Sequence, residues 1–229
     1  FLSIQFRPQY QYLDQNKEAE ERIYEGETPG VSYGDIAERY YTVGQYMKEV
    51  KDVSKAMAAA GDSYICDEYL NAMGSPEAES VYVLHDLNND GIEEFFIGLK
   101  FNYDIPYYVI YDVYTWKDGR AYQLMRGIGY RNGSCKICEN GVIEDNYSGS
   151  AWDGQTLYHI LPEGGIELET IDSVSSRRDG TVQSYYHWNE LIDENSLQTI
   201  LEQYQPESVT YVDCNRETIE QLRLSGIRK

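Results

Sequence analysis

Apolar residues recur at helical spacing in one early segment, then gather in short alternating runs through the middle of the chain, so two kinds of element are expected from pattern alone. Ile36, Tyr40, Val43, Met47, Val50 and Met57 follow one another at intervals of three, four or seven residues. This spacing lines one face of a helix, with Asp35 as its expected cap and Gly61 as a stop signal. Glu38, Lys48, Glu49, Lys51 and Asp52 fall mostly off that stripe. The helix is therefore amphipathic and expected to pack on a sheet.

From Val81 to Trp188 the pattern changes to strands separated by turn chemistry. Asn89-Asp90-Gly91, Lys117-Asp118-Gly119, Glu139-Asn140-Gly141, Glu163-Gly164-Gly165 and Arg178-Asp179-Gly180 each end in a glycine that accepts the positive φ of a tight hairpin. Tyr107 to Trp116 is expected to pair with Ala121 to Arg126, Ser134 to Cys138 with Val142 to Asp145, and Leu157 to Leu161 with Ile166 to Ile171. Ser196 is read as the cap of a helix through Gln203 that turns Leu197, Ile200 and Leu201 inward, and a last helix runs from about Glu217 to Leu224. Ahead of the first helix, Glu25-Gly26-Glu27-Thr28-Pro29-Gly30 reads as a linker. The expected fold is α+β: an antiparallel β-meander with an N-terminal amphipathic helix packed on it and short C-terminal helices. Residues 1–32 are expected to be an arm and linker, and residues 33–229 a single domain.

Within this frame one segment carries chemistry. Asp86-Leu87-Asn88-Asn89-Asp90-Gly91-Ile92-Glu93-Glu94 places oxygen-bearing groups at alternate positions. Asp86, Asn88 and Asp90 would offer side-chain oxygens, Ile92 its carbonyl, and Glu94 would close the shell directly or through water, around one Ca2+. The three carboxylates of this ligand set, Asp86, Asp90 and Glu94, repel one another, and a cation offsets that repulsion. The same letters also describe an Asx-rich tight turn that needs no ion. An EF-hand would have a bidentate Glu at position 12 and flanking helices. Here position 12 is Ile97, and the flanks Val81-Tyr82-Val83-Leu84-His85 and Phe95-Phe96-Ile97-Gly98-Leu99 read as strands.

The loop resembles the D-x-[DN]-x-D-G loops of dockerin-like, thrombospondin-like and integrin-propeller calcium sites, and its strand flanks match the last. A single copy argues against a repeated-blade propeller. A wider resemblance covers roughly residues 36 to 204. It rests on the hairpin from Tyr82 to Gly98 followed by Val109-Ile110-Tyr111-Asp112-Val113-Tyr114-Thr115-Trp116-Lys117-Asp118-Gly119-Arg120. This order resembles uncharacterised secreted or lipid-anchored proteins of Gram-positive gut bacteria. The resemblance implies export and metal binding, and it carries over no catalytic residue.

Composition narrows the partners. With 39 acidic against 19 basic residues the net charge is -20, which disfavours nucleic acid and anionic membrane surfaces. The 23 tyrosines and an aromatic content of 14% are too rich for a disordered acidic chain. No run approaches the roughly 20 apolar residues that span a bilayer. The sequence begins at Phe1 rather than Met, so a leader or lipid-anchor segment is expected to have preceded it, with the mature chain extracellular or at the cell surface.

Cys66, Cys135, Cys138 and Cys214 permit two disulfides in three connectivities, or four inert thiols. Cys135-Lys136-Ile137-Cys138 is a C-x-x-C, but on a strand its two thiols point to opposite faces, which argues against redox chemistry or zinc. His85, His159 and His187 lack the i, i+4 spacing of a helical metal site and are read as hydrogen-bonding residues. No G-x-S-x-G elbow occurs. Trp116, Trp152, Trp188 and the tyrosines combine apolar area with a polar tip suited to sugar or protein surfaces. The segment from Asp145 to Gly154 is the preferred exposed loop, with Tyr147 and Trp152 as its candidate ligand-binding aromatics. Two functional readings follow: an exported, calcium-stabilised, noncatalytic module for a protein or carbohydrate ligand, or an exported carbohydrate-active hydrolase working through paired carboxylates.

Overall fold

The computed structural model describes residues 23–27, 32–60, 65–129, 135–148, 152–161, 166–175, 182–188 and 190–226. Their architecture is α+β and antiparallel throughout its sheets. The strands are β1 (Ile23–Glu27), β2 (Ala78–His85), β3 (Glu94–Phe101), β4 (Tyr107–Lys117), β5 (Arg120–Arg126), β6 (Cys135–Cys138), β7 (Val142–Ser148), β8 (Trp152–Ile160), β9 (Ile166–Ser175), β10 (Val182–His187), β11 (Glu190–Ile192) and β12 (Val212–Asp213). The helices are α1 (Tyr33–Val50), α2 (Val53–Ala60), α3 (Asp67–Met73), α4 (Glu194–Leu201) and α5 (Arg216–Gly226).

The meander is divided between two six-stranded sheets. Sheet A has the order β1-β5-β4-β3-β2-β12, and sheet B the order β11-β10-β9-β8-β7-β6. Period-two alternation sorts their side chains into layers. Tyr82, Phe95, Ile97, Leu99, Tyr111 and Tyr114 face the helices, where they meet Ile36, Tyr40, Val43 and Met47 of α1 and Tyr69 and Leu70 of α3. Val83, Phe96, Ile110, Val113 and Leu124 point the other way, onto Ile137, Ile143, Tyr158 and Ile160 of sheet B. On the outer face of sheet B, Val142, Leu157 and Ile171 pack with Leu197, Ile200 and Leu201 of α4. The order of layers is helices, sheet A, sheet B, helix.

The three expected hairpin pairings are present: Trp116 faces Ala121, Cys138 faces Val142, and Ile160 faces Ile166. The turn residues Asn89, Asp118 and Asn140 take left-handed φ values of 59°, 53° and 63°, and Gly91 takes 87°. Residues 163–165, 178–180 and Gly61 lie outside the described residues.

Several boundaries differ from the pattern. Ser32, not Asp35, caps α1, because its Oγ accepts the Asp35 N–H at 3.1 Å while Asp35 Oδ2 accepts the Ser32 N–H at 3.2 Å, a reciprocal box that satisfies two orphan donors. The stripe that extends to Met57 spans two helices, since Lys51 turns left-handed at φ 52° and returns its N–H to Met47. Asp193, not Ser196, caps α4 by accepting the Ser196 N–H at 2.7 Å, and the helix ends at Leu201. Glu25-Gly26-Glu27, which read as linker, belongs to β1 and pairs with β5.

Candidate functional site

The acidic segment joins β2 to β3, strand to strand as expected. Its short polar side chains fold back on the backbone of the turn. Asp86 Oδ1 accepts the Asp90 N–H at 3.1 Å and its Oδ2 accepts the Gly91 N–H at 3.0 Å. Asn88 Oδ1 shares the Asp90 N–H at 3.2 Å, and Asp90 Oδ1 accepts the Ile92 N–H at 2.7 Å. These bonds draw oxygens of Asp86, Asn88 and Asp90 to the inside of one turn. Asp90 Oδ2 accepts from Asn88 Nδ2 at 3.3 Å, and because an ionised carboxylate has about four lone-pair sites, one donor per oxygen leaves acceptor capacity on Asp86 and Asp90.

Glu94 differs from its neighbours. It is only 1% exposed, its Oε2 accepts the Leu87 N–H at 3.0 Å, and its Oε1 accepts the Thr115 hydroxyl at 3.1 Å. Burial, reinforced by the Asp90 and Asp86 charges, pushes its carboxyl up to about 7 against the pull of those two bonds. Both oxygens are thus engaged in clamping the loop to β4. Tyr33, in the first turn of α1, donates its hydroxyl to the Glu93 carbonyl at 2.8 Å, and Asn88 Nδ2 reaches the Leu161 carbonyl at 3.1 Å. Among the described residues, no three His, Cys, Asp or Glu side chains converge into a metal cluster. The loop's other donors, the Asn88 amide and the Ile92 carbonyl, are groups of a different kind.

The expected aromatic loop is largely a hairpin. Residues 142–148 and 152–160 are strands β7 and β8, with Tyr147 opposite Gly154 and Trp152 opposite Val174. Asp145 is buried and accepts the Gly129 N–H at 3.1 Å. Residues 149–151, and the side chains of Tyr147 and Trp152, lie outside the described residues. Of the other tryptophans, Trp116 meets the Tyr33 ring edge-on at 5.7 Å, whereas Trp188 is 53% exposed. At the β3–β4 tip, Ile105 is 82% exposed, and the rings of Tyr103 and Tyr107 stack on each other and on Phe101.

The four cysteines are buried and joined by no disulfide. Cys135 belongs to the layer between the sheets and Cys138 to the layer under α4, as opposite strand faces require. Burial raises the Cys138 thiol to about 11 and the Cys214 thiol to about 12.

One constellation escaped the sequence pattern. His159 on β8 and His187 on β10 both bond Glu169 on β9, through Nε2 at 2.9 Å to Oε2 and at 2.6 Å to Oε1, and Tyr204 donates its hydroxyl to Oε2 at 2.7 Å. Burial alone would raise the Glu169 carboxyl, but the bonds from His159, Tyr204 and His187 outweigh it and hold the group at about 2. The β8–β9–β10 register joins the three strand residues, and Tyr204 reaches them from just beyond α4. His85 instead pairs with Glu207 at 2.9 Å.

Comparison with protein-family models, with curated proteins and with solved structures gives no match. No helix among the described residues is long and apolar enough to cross a membrane.

Proposed function

We propose that this chain is an exported, noncatalytic binding or surface-interaction module whose β2–β3 loop is stabilised by one Ca2+. The observation that carries the reading is the convergence of Asp86, Asn88 and Asp90 oxygens on the N–H groups of residues 90 to 92. A hard cation takes oxygen ligands, and a loop already wound around its own backbone donors needs little reorganisation to offer them. The Ile92 carbonyl would complete the set, with Glu94 acting through its remaining lone pairs or a water. The ion's role is structural, since it offsets the repulsion among Asp86, Asp90 and Glu94 and ties β2 to β3. Export accords with the millimolar calcium affinity that such extracellular modules often need. The exposed side chains of Tyr103, Ile105, Tyr107, Trp188 and Leu191 supply apolar area for a partner.

The test is a thermal melt of EDTA-treated protein titrated with Ca2+, with Mg2+ as control and Asp90→Ala alongside. At a Ca2+ concentration about 10 to 100 times Kd, linkage stabilises the native chain by about 1.4 to 2.7 kcal/mol. For this chain length that raises the midpoint by roughly 3 to 11 °C. The Asp90→Ala protein should give no such rise. A metal-free native protein whose midpoint ignores millimolar Ca2+ would reduce the loop to an Asx-rich turn.

A further inference from the structure

Among the described residues five non-glycine positions have positive φ, and four have an evident local reason. Asn89, Asp118 and Asn140 sit in tight turns, where their short side chains tolerate the left-handed region, and Lys51 caps α1. The fifth is Trp188, at φ 50°. It opens the two-residue connection that closes the His187–Glu190 pair between β10 and β11. A bulky aromatic gains nothing from that backbone, for which Asn is the less strained choice. Nor does the core explain it, because the indole is half in solvent. A strained, exposed aromatic of this kind points to a role outside the fold.

Its surroundings say what kind of role. The indole lies 6.2 Å from the His187 ring, tilted by 44°. His187 belongs to the Glu169 cluster, with His159 and with Tyr204, whose ring meets His159 edge-on at 5.6 Å. An ionised Glu169 is an acceptor only, so His159 and His187 donate to it from Nε2. Nδ1 of each ring is then the second polar position, an acceptor on an imidazole and a donor on an imidazolium, and both rings are partly exposed. The hairpin thus sets one flat apolar face beside polar rings locked by a shared carboxylate. Leu191, on the same hairpin, adds further exposed apolar area.

We propose that Trp188 and the His159–Glu169–His187–Tyr204 cluster form a binding site for an uncharged oligosaccharide. One pyranose lays its C–H face on the indole while its hydroxyls, donors and acceptors at once, pair with the imidazoles and the Tyr204 oxygen. The net charge of -20 turns away acidic glycans. The rings of Tyr103 and Tyr107 are a weaker choice, since they already stack on one another at 5.8 Å. This assignment rests on the reading of the chain as a binding module and supplies its ligand class.

The experiment is calorimetric titration of the calcium-loaded chain with maltohexaose, cellohexaose, xylohexaose, mannohexaose and chitohexaose in turn, with reducing ends assayed afterwards. At least one should bind. Trp188→Asn, which suits the left-handed turn, should melt no lower than the native protein yet bind about tenfold more weakly, and Trp188→Phe should fall between. Binding that Trp188→Asn leaves intact would overturn the site, and so would a native chain that binds none of the five at millimolar concentration. New reducing ends together with Trp188-dependent binding would refute the noncatalytic reading and leave the site standing. A calcium-dependent melt without saccharide binding would do the reverse.

Discussion

Asp112 offers the sharpest test of how the helix layer is joined to sheet A. It lies on β4 with 0% exposure, accepts the Gly127 N–H at 2.9 Å, and receives a short hydrogen bond from Tyr40 of α1, whose oxygen is 3.0 Å from that of Tyr114. Burial raises its carboxyl from 3.8 to about 6, and the bonds from Tyr40 and Gly127, with the Arg126 charge, only partly offset it. The folded group therefore binds its proton more tightly than the unfolded one. Its contribution favours folding fully below the unfolded value and is lost as pH rises towards 6. The whole span is worth about 3 kcal/mol, of which about 2 kcal/mol falls between roughly pH 4.5 and 8. Asp112→Asn removes the titration and can keep the bonds to Gly127 and Tyr40. Its Oδ1 accepts from Gly127, its Nδ2 donates to the Tyr40 oxygen, and the Tyr40 hydroxyl turns to Tyr114. Urea melts of both proteins across that range should show the stability difference moving in favour of Asn by about 2 kcal/mol as pH rises, with no further change above about pH 7.5. A difference that stays flat across the range, or moves the opposite way, would refute the account.

Two further outcomes test the packing. Gly98→Ala places a Cβ 2.1 Å from the Val109 carbonyl oxygen of the neighbouring strand, and urea unfolding should register a loss of about 3 kcal/mol, because backbone in a central strand cannot step aside. The native protein should show no thiol reaction with an aromatic disulfide reagent near pH 8 and four equivalents in denaturant, since all four thiols are buried and none is in a disulfide.

Local chemistry was the legible part of the chain. Turns were readable because Asn, Asp and Gly each carry their own reason for positive φ, and the hairpin partners followed from those turns. Boundaries were less readable where two residues compete for one role. Ser32 and Asp35 are both good caps, and the reciprocal box uses both, with Ser32 in the cap position. Ser196 and Asp193 stand three residues apart in the same relation. The division of the meander into two stacked sheets has no local signature. Strands such as β3, buried on both faces, read as continuous apolar runs, and this says only that something covers each side. Glu169 and His159 could have been placed on one face once Leu157 was known to face Glu169, because parity then fixes both. His187 required the register of a further strand, and among the three tryptophans the small polar residues around Trp152 drew the choice there rather than to Trp188.

The placement of the acidic loop explains why a cation there should matter to the whole molecule. Tyr33 ties the Glu93 carbonyl to α1, Thr115 ties Glu94 to β4, and Asn88 reaches Leu161 just past β8 of sheet B. Leu87, within the loop, is buried in the layer between the sheets. Thus nine residues touch the helix layer, sheet A and sheet B at once. The Asp90 and Asp86 charges push the Glu94 carboxyl up, and one bound cation would offset that repulsion at the point where all these attachments meet. The Glu169 cluster is arranged differently. It stands on the outer face of sheet B beside α4, attached to the core through strand register and one tyrosine. An ion in the loop would act on that surface only by steadying the sheet beneath it, so calcium should govern the melting temperature strongly and the intrinsic affinity of the Trp188 surface weakly. This separation follows from layer order and does not depend on the identity of the ligand.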